Sequence, residues 1–185
     1  MGFDSFGAPQ FGLSDVKVAA YTSTNSYGTA VDVPSVQMMG GIMQVVSAQL
    51  EGDDEITDSH SQAIGGQVQI RFGSVSIAAL EVLLGIDSVL SADTYDWLQV
   101  DGGDNMPYFG ICGKISATQG SGDFHVFMPK VKIMEDVNLV SAEYGQYIIP
   151  ETTAQAIPDT TYGIINLIEH QTAAAVAIPP TSIAQ

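Results

Sequence analysis

A run of acidic residues beside a histidine is the first stretch of this sequence that could carry chemistry. Five carboxylates and one imidazole fall within residues 51–60: Glu51, Asp53, Asp54, Glu55, Asp58 and His60. Several oxygens around one point are what Ca²⁺ requires, but the spaced Asp, Asn, Gly and closing Glu of an EF-hand loop are missing. Charge runs are usually solvated. We therefore predict no metal site here, and a hydrolase built around His60 stays as an alternative.

A second oxygen-rich turn lies at DGGDN, where Asp101, Asp104 and Asn105 occur together. Asp, Gly and Asn are also the residues that tight turns select, which favours a structural interpretation. The alternative is a Ca²⁺-stabilised β-sandwich binding or adhesin module. Its ligand platform would be aromatic and would consist of Tyr95, Trp97 and Tyr108.

The remaining reactive residues do not form a catalytic pattern. The three histidines, His60, His125 and His170, fall in separate segments, and no nucleophile elbow, P-loop or dinucleotide-binding glycine motif is present. Cys112 is the only cysteine, so no intrachain disulfide can form, and we expect a small buried hydrophobe. The sequence predicts no enzyme and no cofactor.

Composition limits the classes of protein further. The chain has 185 residues, of which 21 are acidic and 5 are basic, and its net charge is -16. Such a surface repels phosphate, which argues against a protein that binds nucleic acid. A hydrophobic content of 45% suffices for one core. We expect an N-terminal arm (1–14), one β domain (15–172) and a C-terminal arm (173–185).

Targeting signals are not evident in the sequence. No stretch has about 18 consecutive apolar residues, so we predict no membrane insertion. The N-terminal residues lack the basic and apolar regions of a signal peptide, which indicates a protein made in a cytoplasm.

The first half of the chain predicts antiparallel strands. Residues 15–21 alternate apolar and polar side chains, and residues 42–52 have apolar side chains on both faces, so we expect the second strand to be covered on both sides. Residues 33–41 are interpreted as a connector because they hold a proline and a glycine pair. Residues 51–66 are interpreted as a long acidic loop that leads to a strand at 67–73.

One short α-helix is predicted over about 76–85, where the apolar spacing changes from two to three and four residues. Ser74 or Ser76 can cap it, and Gly85 can supply the left-handed residue that ends it. The side chains expected to pack on the sheet are Ile77, Leu80, Leu83 and Leu84.

The second half predicts another hairpin, formed by residues 107–119 and 123–136. Pro129 within it indicates a bulge or an edge position. Residues 138–151 and 161–173 are interpreted as two further strands. The uncharged tail, 173–185, is too small to form a core, so we expect it to dock on another subunit or to fray.

The order of these elements resembles that of the major tail tube proteins of long-tailed bacteriophages, in the non-contractile class. In that family a polar hairpin loop precedes a strand, and a short helix then reads like D/A-L-E-x-L-L-G. Here that helix is Ala79 to Gly85. A segment containing F-P-K follows in the family, and here it reads Phe127, Met128, Pro129, Lys130. The resemblance spans roughly residues 15–170.

The resemblance implies a mainly β subunit, a β-sandwich or split barrel with a flanking helix. Six subunits form a ring, and stacked rings form the tube of the virion tail, through which DNA passes without specific binding. It implies no catalytic residue and no cofactor. The partners would be copies of the same chain and other tail proteins such as the tape measure and terminator proteins.

Two sets of charged residues are expected to act in that assembly. The acidic set would face the lumen or the next ring, although an ordinary solvated loop remains the alternative: Glu51, Asp53, Asp54, Glu55 and Asp58. The basic set would bridge neighbouring subunits: Arg71, Lys114, Lys130 and Lys132.

Overall fold

A computed structural model describes residues 10–52, 55–74, 76–86, 88–90, 96–117, 122–139, 144, 151–170 and 174–180. Within these residues the chain is mainly β, with one short helix. The strands are β1 (Gln10–Ser23), β2 (Ser26–Tyr27), β3 (Val31–Asp32), β4 (Val36–Gly52), β5 (Glu55–Phe72), β6 (Ser88–Leu90), β7 (Asp96–Leu98), β8 (Phe109–Ala117), β9 (Asp123–Ile133), β10 (Glu151–Ala156) and β11 (Asn166–His170). The helix is α1 (Ile77–Leu84).

Nine of the strands form one antiparallel sheet in the order β2-β1-β8-β9-β10-β5-β4. β3 also pairs with β1, β11 also pairs with β9, and β6 and β7 form a separate hairpin. The sheet does not close on itself, and β4 lies at one of its edges. The prediction of a mainly β, sandwich-like fold with one helix is therefore confirmed.

The main core lies between α1 and the inner face of the sheet. Its largest fully buried side chains come from β5, β8, β9 and α1: Ile70, Phe109, Ile111, Met128, Leu83 and Leu84. A second, smaller cluster lies on the opposite face of β8 and β9 and includes Cys112 and Phe127. These two strands are thus covered on both sides, which explains why none of their residues is exposed.

The helix begins and ends as its sequence predicts. The Ser76 hydroxyl accepts a hydrogen bond from the Ala79 N–H, and Gly85 has a left-handed φ of 69°. The alternative cap, Ser74, donates instead to the Pro34 carbonyl. No helix among the described residues has the length and apolarity to cross a membrane.

The helix face that packs on the sheet is rotated relative to the predicted one. Leu83 and Leu84 are buried as predicted, and Leu80 is partly buried against the core. Ile77 is only half-buried, and Ala79 takes the buried position in the first turn.

The predicted loop over residues 51–66 is mostly strand, which corrects the long-loop interpretation. β4 and β5 continue their pairing as far as Gly52 and Glu55, so the hairpin is present but its turn is short. Residues 36–41, interpreted as a connector, also belong to β4. The glycine pair at 40–41 fits a strand here because Gly41 lies against the Met128 side chain, where a Cβ would meet it.

The hairpin of β8 and β9 is confirmed, and Pro129 lies at a bulge. Between Phe109 and Ile111 on β8, the paired residues on β9 step from Val131 to Met128. Pro129 also lies between the segment of β9 that pairs with β11 and the segment that pairs with β10. A residue without an N–H is tolerated where a strand changes partners.

Two interpretations of the ends of the chain need correction. β1 begins at Gln10, earlier than the strand predicted at 15–21. Residues 174–180 of the C-terminal tail pack on their own subunit, where Val176 is 4% exposed, so this part of the tail is not frayed, and its contact with another subunit stays a prediction. The strand predicted at 138–151 lies almost wholly outside the described residues, while β10 at 151–156 was not predicted.

Candidate functional site

The most prominent surface feature is a two-stranded ribbon, formed by residues 44–52 of β4 and 55–65 of β5. β10 pairs with β5 only between Gly66 and Arg71, so the ribbon extends past the last strand that supports it. Nine residues in extended conformation reach about 30 Å. Isolated two-stranded hairpins are at best marginally stable in water. A partner that packs on the ribbon would therefore stabilise it.

Apolar side chains lie exposed on both faces of the ribbon. Val45 and Val46 are neighbours on opposite faces of β4 and are 51% and 53% exposed. Leu50 and Ile56, toward the tip, are 64% and 60% exposed, and Ile64, near the base of β5's part of the ribbon, is 51% exposed. Ile42 and Met43, at its base, are 57% exposed. The sequence-based expectation that this strand is covered on both sides is not met within the single chain.

The stem of the ribbon, which we define as residues 44–50 and 59–65, contains no Asp, Glu, Lys or Arg. None occurs from Pro34 to Leu50 or from Ser59 to Ile70, in a chain whose net charge is -16. Depletion of charge together with exposed apolar residues distinguishes the centre of an interface from ordinary surface. The charged residues lie instead at the tip, so the ribbon combines an uncharged stem with an acidic end.

Backbone groups along the ribbon are also open to pairing. Among the described residues, no strand pairs with the outer edge of β4, nor with β5 between Glu55 and Gly65 on the side away from β4. Open edges of this kind are templates for pairing with another chain. Natural proteins usually block such edges with charges or prolines, and the stem has neither.

The predicted acidic set lies at this tip. Glu51 is paired with Ile56 and exposed, and Asp58, paired with Leu50, accepts a hydrogen bond from the Ser59 N–H at 2.8 Å. Glu55 pairs with Gly52 to close the hairpin, while Asp53 and Asp54 lie outside the described residues. Their role toward a lumen or a neighbouring ring stays a prediction.

The other predicted sites are not brought together. His60 is exposed on the ribbon opposite Ala48, and among the described residues no group of three or more His, Cys, Asp or Glu side chains could hold a metal ion. In the DGGDN turn, Asp104 accepts a hydrogen bond from the Asp101 N–H at 2.8 Å. That bond is ordinary turn chemistry.

The structure describes two of the three aromatic residues of the adhesin alternative, Trp97 and Tyr108, and their role as a ligand platform stays a prediction. Trp97 is 54% exposed on β7, and Tyr95 lies outside the described residues. The ring of Tyr108 is occupied by two ammonium groups, since Nζ of Lys130 and Lys132 lie 4.6 and 5.2 Å from its centroid. Such contacts stabilise the subunit surface.

All four basic residues of the predicted inter-subunit set have partners within the chain. Arg71 contacts Glu151 at 3.0 Å, and Lys132 donates to the Asn105 side chain at 3.3 Å. Lys130 lies over the rings of Tyr108 and Tyr21. Nothing in these surroundings requires a neighbouring subunit, so their bridging role also stays a prediction.

Lys114 belongs to a clasp that holds the C-terminal arm. Its Nζ lies 2.9 Å from Asp123 Oδ2 and donates to the Ala174 carbonyl at 3.0 Å. Asp123 in turn accepts a hydrogen bond from the Ala174 N–H at 2.7 Å. One ion pair thus binds both backbone polar groups of one residue in the arm. Burial alone would raise the pKa of Asp123, but these hydrogen bonds and the Lys114 charge outweigh it and lower that pKa.

Two histidines lie beside the clasp, and the sequence did not predict that they are close to each other. His125 and His170 are diagonal neighbours on β9 and β11, and their ring centroids are 4.4 Å apart. The Nε2 atoms of both are buried without a hydrogen-bond partner in the described structure. Burial, and then the charge of His170, lowers the pKa of His125. They lie 45 residues apart in the chain, so only the pairing of β9 with β11 brings them together.

Comparisons with known proteins add no relative. No protein-family model matches this chain, and no curated protein matches its sequence.

Proposed function

We propose that this chain is the subunit of a phage tail tube, assembling into hexameric rings that stack into the conduit for DNA in the virion. The number of subunits and the virion location rest on the resemblance in element order and in the helix and F-x-P-K motifs. The partners would be other copies of the chain and other tail proteins such as the tape measure and terminator proteins. No catalytic step is part of this proposal.

The exposed, uncharged ribbon is the observation that carries the proposal. A stem with valines on both faces and free backbone edges is costly to leave in water, and a second copy offers the same features in return. Repetition about a closed axis covers each ribbon with its neighbours and leaves no open edge. The apolar side chains on both faces of residues 42–50, which predict a strand covered on both sides, would then be covered by the neighbouring subunits.

The charge distribution supports a conduit for DNA. With 21 acidic and 5 basic residues, an assembled wall repels phosphate rather than binding it. All five basic residues lie in ion pairs or against aromatic rings of the same chain, which leaves few cations to hold a passing backbone. Repulsion extends about 8 Å at physiological salt, so it acts on DNA close to the wall.

Charge inserted into the ribbon stem tests the proposal. In Val45→Glu/Val46→Glu, each face of the stem receives a carboxylate at an exposed position. We expect sedimentation velocity to show that the wild-type protein assembles and that the double variant stays monomeric, because each assembled ribbon would bury unpaired charges. The free energy of unfolding of the monomer should change by less than about 1 kcal/mol.

Thr57→Glu is the matched control, since Thr57 is exposed on the same ribbon but lies in its acidic tip. This variant should assemble as the wild type does. A double valine variant that assembles normally would show that the apolar stem is not the contact between subunits.

A further inference from the structure

The C-terminal arm, residues 174–180, covers a small apolar cluster on the outer face of β8 and β9. The cluster contains the only thiol of the chain, since Cys112 is fully buried beside Phe127, Tyr162 and Val176. Burial raises the pKa of Cys112 to about 12, so the thiol is unreactive while the arm stays in place. Cys112 therefore reports whether the arm is closed.

The arm is fastened beside a pair of buried imidazoles. Lys114 and Asp123 bind the carbonyl and N–H of Ala174, and His125 pairs directly with Lys114 across β8 and β9. His125 is 1% exposed, and its Nε2 has no partner among the described residues, which is a costly arrangement even for a neutral ring. A proton added to this pair would bring a charge into the same enclosed space.

We propose that the arm is a pH-sensitive strap, closed while His125 is neutral and released when His125 takes up a proton. The proposal concerns a single chain and holds whether or not the protein forms a tube.

Charged and titratable groups from four elements face His125. Lys114 on β8 and His170 on β11 oppose its protonation, whereas Asp123 on β9 and Asp15 on β1 favour it. A protonated imidazole repels the Lys114 ammonium and competes with it for the Asp123 carboxylate. Both effects weaken the grip on Ala174.

The direction of the pH effect follows from burial. In the closed arrangement the pKa of His125 lies below its ordinary value of 6.5, chiefly because the ring is buried. An open arrangement returns the ring to water and binds the proton more readily, so acid favours opening. For one histidine with an ordinary pKa when open, the open fraction rises up to about eightfold between about pH 7 and pH 5.5.

The rate at which Cys112 reacts with dithiodipyridine, a reagent that reacts with thiols in acid, measures that fraction. The rate for the urea-unfolded protein at the same pH corrects for the chemistry of the reagent. We expect the corrected rate to rise several-fold from about pH 7 to pH 5.5, up to the eightfold limit, while the far-ultraviolet circular dichroism stays constant. Hydrogen exchange of the peptide that contains residues 174–180 should rise in parallel.

Variants distinguish release of the arm on protonation of His125 from a general destabilisation of the protein by acid. His125→Phe keeps a buried ring and loses no Nε2 hydrogen bond, so it should fold and remove most of the pH dependence. His170→Phe should reduce that dependence and provides a second test if the first variant folds poorly. His60→Gln, on the exposed ribbon, should behave as the wild type.

Asp123→Asn weakens the clasp directly and should raise Cys112 reactivity at both pH values. A corrected rate that does not change with pH in the wild type would overturn the proposal. So would an unaltered pH dependence in the His125→Phe and His170→Phe proteins.

Discussion

Lys114 and Asp123 form an ion pair 2.9 Å apart, and its two charges bind the carbonyl and the N–H of the same residue, Ala174. The side chains of Lys114 and Asp123 are only 19% and 5% exposed, so the pair is shielded from solvent. The C-terminal arm is therefore part of the subunit fold. The sequence predicted that the tail docks on another subunit or frays, whereas residues 174–180 cover the second apolar cluster of their own chain.

Breaking this pair should destabilise the subunit. Asp123→Asn leaves the Lys114 ammonium in an enclosed site without its counter-ion, and losing one partner of a buried pair costs about 3–5 kcal/mol. We expect the lower end of that range, because Lys114 keeps some access to water. Urea unfolding measures the change. Asp32→Asn is the control, since its carboxylate is 74% exposed and should contribute no more than about 1 kcal/mol. Equal losses in the two variants would contradict the account.

The Asp159 side chain should be essential to the turn at residues 159–163. Its Oδ1 accepts hydrogen bonds from the N–H groups of Thr161 and Tyr162, and Oδ2 accepts one from the Tyr21 hydroxyl at 2.9 Å. Asp159→Ala leaves the two backbone N–H groups without this acceptor, while the Tyr21 hydroxyl keeps the Thr24 hydroxyl at 3.4 Å, and should lower the free energy of unfolding by about 1–3 kcal/mol. Asp136→Ala, at an exposed position, should change it by no more than about 0.5 kcal/mol. Thermal melts that do not distinguish the two variants would rule out this role.

Truncations in the helix should reveal which of its faces packs on the sheet. Leu83→Ala removes a side chain that is 1% exposed and should cost about 2–5 kcal/mol. Ile77→Ala removes a half-buried side chain from the same helix and should cost less than about 1.5 kcal/mol. The reverse order in chemical denaturation would restore the helix face predicted from the sequence.

Acid should destabilise the subunit in two stages. The lowered pKa of His125 means that the unfolded chain binds a proton first, so stability declines as the pH falls below 6.5. Asp123 and Asp159 also have lowered pKa values, and their contribution is complete above 3.8 and is lost as the pH falls through the folded values. Urea midpoints measured across this range should show both declines. In His125→Phe the upper decline should shrink while the lower one remains.

The sequence predicted the elements whose signals are local. The stop at Gly85 was predicted correctly, and the cap at Ser76 and the bulge at Pro129 were each one of two predicted alternatives; all three depend on residues close in the chain. The rotation of the helix was not predicted, because the burial of Ala79 in place of Ile77 depends on how the helix packs on the sheet.

Long-range relationships could not be predicted from spacing. Lys114, Asp123 and Ala174 meet only because β8 pairs with β9 and the arm returns across them. The acidic run was predicted to be a loop because it joins two strand-like runs, yet it forms the end of a ribbon whose stem has no charge. The apolar residues on both faces of 42–50 and the absence of charge from 34–50 and 59–70 were signals of the ribbon that the sequence did contain.

Negative-stain electron microscopy of the purified wild-type protein tests the central claim most directly. An exposed, uncharged ribbon with open edges predicts rings or long tubes of regular diameter. A protein that remains strictly monomeric in these images and in sedimentation at high concentration would contradict the assignment to a tail tube.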